Sequence, residues 1–108
     1  MRILTFKEEI ILAAVWKLGG SAHGVPIREK VIEMSRKDIV YGTLYNSLEY
    51  LIQKGYIISE KGDPTPERGG KSKTVYTITA QGKKALKDTR ELHDSIWLDM
   101  PDLKPGLK

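Results

Sequence analysis

Cysteine is absent from the 108 residues, which excludes disulfides, thiolate metal sites and a cysteine nucleophile. Long apolar runs are absent too, and no stretch approaches the roughly 18 residues of a membrane span. The opening Met1-Arg2-Ile3-Leu4-Thr5-Phe6-Lys7-Glu8-Glu9 turns acidic too early for a secretory apolar segment. Catalytic fingerprints are missing: there is no G-x-S-x-G, no P-loop and no dinucleotide-binding glycine pattern. The two histidines, His23 and His93, lie far apart in sequence and outside any recognised motif. There is no internal repeat and no low-complexity segment. These absences predict a cytoplasmic protein that is not an enzyme, with no membrane partner, cofactor, catalytic residue or metal ligand.

What is present is ordinary in amount and uneven in placement. Hydrophobic residues make up 40% and charged residues 30%, a globular balance. A chain this short is one domain by default, with a modest core that oligomerisation would help. The net charge is +4 and the pI about 9.3. Between Lys61 and Arg90, eight cations face three acids, a balance of +5 that leaves −1 for the rest. A basic segment of this kind suits a phosphate-tracking surface, because each neutralised phosphate releases condensed counterions. A merely solvated charged face is the plain alternative.

Thr5-Phe6-Lys7-Glu8 fits a capping box. Behind it Ile11, Ala14, Val15 and Leu18 form a helical stripe that ends at Gly19-Gly20. Leu12 and Trp16 form a second seam, and a helix apolar on two sides is buried between two partners. Another subunit is one candidate for the second partner, a C-terminal segment of the same chain the other. Ser21 to Val25 reads as a linker, and Pro26 suits the first turn of a second helix with Ile27, Val31 and Met34 inward. A third helix runs from about Gly42 to Lys54, closed by Gly55. Leu44, Leu48 and Leu51 are its buried face, widened by Ile52. Tyr41, Thr43, Asn46, Ser47 and Tyr50 lie off that stripe, short or planar polar groups where a solvated face carries long charges.

The period then changes. Tyr56–Lys61 and Lys73–Thr79 are β-branched and aromatic, two strands of a hairpin. The connection from Gly62 to Ser72 is longer than a tight turn needs, as functional or disordered loops are. Thr79 caps a last helix to about Met100, where Pro101 stops it. Ala85, Leu86, Leu92, Ile96 and Trp97 form its apolar stripe, with Lys83, Lys84, Lys87 and Arg90 crowding its first half.

This order of elements predicts a mostly helical α+β fold: a winged helix–turn–helix with an added C-terminal helix. The third helix fits the major groove of B-DNA and presents its first residues to base edges. The hairpin loop, with Arg68, Gly69, Lys71 and Lys73, reaches along the backbone or into the minor groove. Winged helices also serve as protein-docking modules, the rival reading.

Gly42-Thr43-Leu44-Tyr45, Leu48-Glu49-Tyr50-Leu51 and Lys54-Gly55-Tyr56-Ile57 resemble the recognition helix of PadR-type transcriptional regulators. Asp63 to Lys71 and Val75-Tyr76-Thr77-Ile78-Thr79-Ala80-Gln81-Gly82 resemble their wing, the more specific match. The resemblance covers residues 5 to about 98. It implies a homodimer held largely by the C-terminal helix, which binds a pseudo-palindromic operator, most often as a repressor. It also implies a short member of the family, lacking the long C-terminal helical domain. Relatives commonly carry Gly-Tyr where this chain has Gly24-Val25-Pro26, and a polar residue or proline where Val40-Tyr41 precedes Gly42. The second departure leaves the recognition helix without an evident cap and frees Tyr41 for a phosphate.

The division expected is a DNA-binding domain over 1–79, a dimerisation helix over 80–100 and a frayed tail over 101–108. Double-stranded DNA is the expected partner, through Tyr41, Thr43, Tyr45, Asn46, Ser47, Tyr50, Arg68, Gly69, Lys71 and Lys73. Asn46 is the best base reader, since asparagine pairs bidentately with adenine. Tyr45 is half-buried packing with its hydroxyl on a phosphate. A second copy is expected against Leu12, Trp16, Leu86, Leu92, Ile96 and Trp97, with His93 as packing. Trp97 reads as an interface anchor or, with Trp16, as the wall for a planar aromatic effector, which some relatives use.

Overall fold

Thr5 Oγ1 accepts the Glu8 amide at 3.2 Å while Glu8 Oε1 accepts the Thr5 amide at 2.8 Å, so the first helix starts on the capping box its sequence carries. The computed structural model describes residues 2–62 and 73–106. Helix α1 (Phe6–Lys17) buries Ile11, Ala14 and Val15, and Leu12 with them. It ends at Gly19 and Gly20, whose φ angles of +96° and +93° lie where a Cβ is costly. Leu12 is wholly buried within its own chain, which corrects its placement at an interface between copies. Helix α1 is flanked by the second, third and fourth helices and by the sheet, so both of its apolar sides find partners in one chain. Of the second seam only Trp16, 52% exposed, faces outward.

Ser21–His23, expected as a linker, forms strand β1. Three residues are too few to show a period; their pairing comes from the free edge of β3 (Thr74–Ile78), in the register Ser21↔Thr77 and His23↔Val75. The other edge of β3 pairs with β2 (Ile57–Lys61), Ile57 opposite Ile78, so the antiparallel sheet runs β1-β3-β2. Helix α2 (Gly24–Ser35) therefore begins before Pro26; within a first turn the missing proline N–H costs nothing. Ile27 and Val31 are buried and Met34 packs at the core's edge.

Helix α3 (Tyr41–Gln53) buries Leu44, Leu48 and Leu51, and its N-cap Val40 makes no side-chain bond. Arg28 holds the turn before it: Nε donates to the Ile39 carbonyl at 2.6 Å and Nη2 to Asp38 Oδ1 at 3.0 Å. Helix α4 (Ala80–Trp97) starts on Thr79, whose Oγ1 accepts the Gly82 amide at 3.0 Å and donates to the Gly55 carbonyl at 2.7 Å. A Cβ at Gly82 would run into the Tyr56 carbonyl, so glycine is what lets α4 seat on the hairpin. The helix ends at Trp97 rather than near Met100. Proline disfavours a helical conformation in the residue before it, and Asp99 turns left-handed at φ +58°.

The segment before α1 straps onto α4. The Leu4 amide donates to Thr89 Oγ1 at 2.9 Å and the Arg2 amide to Asp88 Oδ2 at 3.1 Å, with Lys84 Nζ on the same carboxylate at 3.2 Å. Beyond Thr89 no α4 side chain is buried; Leu92 is half-buried, while Ile96 and Trp97 are more than half exposed.

Candidate nucleic-acid interface

Burial of Leu44, Leu48 and Leu51 turns the opposite side of α3 outward. Tyr41, Tyr45, Asn46 and Tyr50 are exposed there, and Thr43 and Ser47 are half-buried beside them. The tyrosines are held rather than loose. Tyr41 and Tyr45 stack at 6.0 Å between ring centroids, and the Arg28 guanidinium lies 4.6 Å over Tyr41. Tyr45 continues onto Tyr76 of β3 at 6.5 Å. A cation over a ring and an aromatic pair each restrict rotamers, so the exposed face is pre-ordered.

Two clefts flank this face. One, about 490 Å³, lies between Asn46, Ser47 and Tyr50 of α3 and Thr5 and Lys7 at the start of α1. Glu8 and Lys54 close it with an ion pair of 2.8 Å, and Lys54 Nζ also sits 4.7 Å over the Tyr50 ring. Burial pushes the Glu8 carboxyl up, but the Lys54 ammonium and the Thr5 amide outweigh it and hold the group below its ordinary value. Lys54 is raised in turn, chiefly by its bond to Glu8. The other cleft, about 520 Å³, lies between the start of α2, Tyr45 and the base of the hairpin at Lys73.

The structure thus gathers Tyr41, Thr43, Tyr45, Asn46, Ser47 and Tyr50 on one helix, with Lys73 across a cleft from Tyr45. Arg68, Gly69 and Lys71 lie outside the described residues. Sequence reasoning missed Lys7 and the α2 start as neighbours of this face. Only the tertiary placement of β1 brings the latter there.

A third groove, about 460 Å³, runs between α1 and α4, with Ala13, Trp16 and Leu86 in its lining and Lys83, Lys87 and Arg90 around it. Lys83 Nζ stands 5.0 Å over the Trp16 ring, and His93 Nε2 meets Glu9 Oε1 at 3.1 Å. Trp97 lies beyond this lining, so one chain alone does not bring the two tryptophans into one site.

A helix–turn–helix whose second helix offers an ordered polar face, followed by a β-hairpin, defines a winged-helix protein. The family model of the PadR-like transcriptional regulators matches residues 11–88. The chain belongs to that family, and is a winged-helix, DNA-binding transcriptional regulator. No curated protein matches it. Among solved structures it is similar to a winged-helix DNA-binding protein from STIV, at 22% identity and TM-score 0.69, over 86% of this chain and 92% of that one. A transcriptional regulator from Clostridium thermocellum is similar at 26% identity and TM-score 0.64, over 88% and 92%. BpsR of Bordetella bronchiseptica, whose DNA binding is regulated by 6-hydroxynicotinic acid, shares the fold at 18% identity and TM-score 0.66, over 95% and 70%. Among the described residues, no helix is long and apolar enough to cross a membrane.

Proposed function

We propose that the chain is a homodimeric repressor that reads a pseudo-palindromic operator. Residues 1–79 form the DNA-binding unit, 80–100 join the two copies, and 101–108 follow as a tail. The observation that carries the DNA reading is the α3 face, where Tyr41, Tyr45, Asn46 and Tyr50 stand exposed on a helix anchored by three buried leucines. Asn46 addresses base edges; the tyrosines and Lys73 address the backbone. Exposed Ile96, Trp97 and Trp16, with half-buried Leu86 and Leu92, support a second copy along α4, since apolar clusters of this kind mark interaction sites. A two-fold pair sets two α3 helices about 34 Å apart, one turn of DNA. A planar aromatic effector is favoured by one observation, Trp16 in a groove ringed by Lys83, Lys87 and Arg90; displacement of bound DNA by such a ligand is the check.

The test is a gel shift with DNA from upstream of the chain's own gene and a scrambled duplex, repeated across salt. With about 6–10 phosphate contacts per dimer, affinity falls roughly 10³–10⁵-fold between about 50 and 200 mM salt. No shift, or a response flat in salt, leaves the protein-docking reading in its place.

A further inference from the structure

Tyr76 is 8% exposed, yet among the described residues its hydroxyl has no hydrogen-bond partner. It lines the cleft between α2 and the hairpin, together with His23, Gly24, Val25, Pro26, Tyr45, Lys73 and Thr74. No polar side-chain atom among the described residues is both buried and unpartnered, so the Tyr76 hydroxyl opens into this cleft, held in place by a buried ring and free to donate to whatever enters. The side chains that line the cleft itself favour an anion, with Glu49 the one carboxylate near enough to act on the phenol from outside that lining. The lining carries one ammonium, two phenols and no carboxylate, whereas each of the other two clefts contains a glutamate. Burial, then neighbouring Tyr45 and Glu49, push the Tyr76 phenol up, so it stays protonated and can donate.

The start of α2 opens into the same space. Its N-cap His23 makes no side-chain cap bond; the ring turns away, with Nδ1 donating to the Thr74 carbonyl at 3.0 Å. The first amides of a helix have no partner within it, and Val25 is exposed here. Gly24 allows the closest approach: a Cβ there would collide with the Tyr45 hydroxyl. That contact places the Tyr45 hydroxyl at the mouth of α2 instead of in open solvent.

We infer that this cleft seats one backbone phosphate of duplex DNA, held by Lys73 Nζ, the Tyr45 and Tyr76 hydroxyls and the Val25 amide. The inference rests on the DNA-binding reading and adds to it Tyr76, Gly24 and Val25, none of which was expected to touch DNA. Physically it is an anchor point: it fixes how α2, α3 and the hairpin sit on one strand and carries no sequence preference of its own.

The experiment measures binding of a fluorescent 30-base-pair mixed-sequence duplex by anisotropy, across salt, with thermal melting as the folding control. Tyr76→Phe removes only a neutral donor. It weakens binding roughly tenfold, the size of a hydrogen bond to a charged group, and leaves the slope of log affinity against log salt unchanged. Lys73→Gln weakens binding and lowers that slope by about one per protomer. Gly24→Ala displaces the Tyr45 ring and acts like Tyr76→Phe. In a second arm, inorganic phosphate titrated into the unbound protein shifts the Val25 amide resonance in the wild type, and this shift is lost in Lys73→Gln. If Tyr76→Phe and Lys73→Gln both bind as the wild type does, the phosphate seat is refuted while DNA binding stands. If the wild type itself binds no duplex, both readings fall together.

Discussion

Asn46 is an exposed carboxamide near the middle of α3, with both a donor and an acceptor to match a base edge. Asn46→Ala should therefore cost about 1–3 kcal/mol of discrimination between operator and scrambled DNA. Arg68→Ala or Lys71→Ala, in the basic hairpin loop, should weaken both duplexes alike, because phosphates carry no direct sequence information. Competition binding on the two duplexes separates the two classes; equal losses for Asn46→Ala would remove it from base reading. These expected roles were readable from residue type and position alone. Tyr76 was not: as a strand residue in an alternating pattern it reads as core, and its bare hydroxyl emerges only once β1 and α2 close the cleft around it. Leu12 shows the opposite failure. Its helix was recognised as apolar on two sides, but pattern alone does not say whether the second side meets a subunit or the same chain.

Among the elements, all four helices and both hairpin strands were legible, since apolar stripes, a capping box and terminal glycines all agreed. Strand β1 was illegible because three residues of Ser-Ala-His have no period and pair only because β3 offers a free edge. The end of α4 was misplaced by three residues, since the apolar stripe continues past Trp97 while Pro101 already constrains the backbone. Helix α4 divides at Thr89. Its first half is locked to the core through Gly82, Ala85, Asp88 and Thr89; its second half holds nothing inward except half-buried Leu92. Truncation before Leu92 should leave a folded domain that is monomeric and loses operator affinity, although every proposed DNA contact remains. Light scattering gives the answer, and a truncated protein that stays dimeric would move the interface off α4.

For the molecule as a whole, two carboxylates tie distant parts of the chain together: Glu8 joins α1 to the end of α3, and Asp88 joins the N-terminal strap to α4. Hydrogen bonds from the Arg2 amide, against some cost of burial, and then from Lys84 hold the Asp88 carboxyl below its ordinary value of 3.8; that of Glu8 lies below 4.5. A depressed carboxyl adds stability that is complete above its unfolded-state value and disappears as the pH falls through its folded-state value. Melting temperature should thus hold from neutrality to about pH 4.5 and decline below it. Glu8→Gln should lower the neutral plateau and make that decline shallower. Thermal melts between pH 7 and 2 test this, and an unaltered acid limb in Glu8→Gln would show that the pair adds nothing to stability.

The two tryptophans stand at 52% and 57% exposure, and the sequence has no others. The protein's own emission is consequently blind to its core and tuned to its outer surface along α1 and α4. A second copy or a flat aromatic molecule closing over Trp16, as proposed, would take the exposed half of its indole out of water. The intensity and colour of the natural fluorescence thus report on what covers the outer sides of α1 and α4, readable on the unmodified protein.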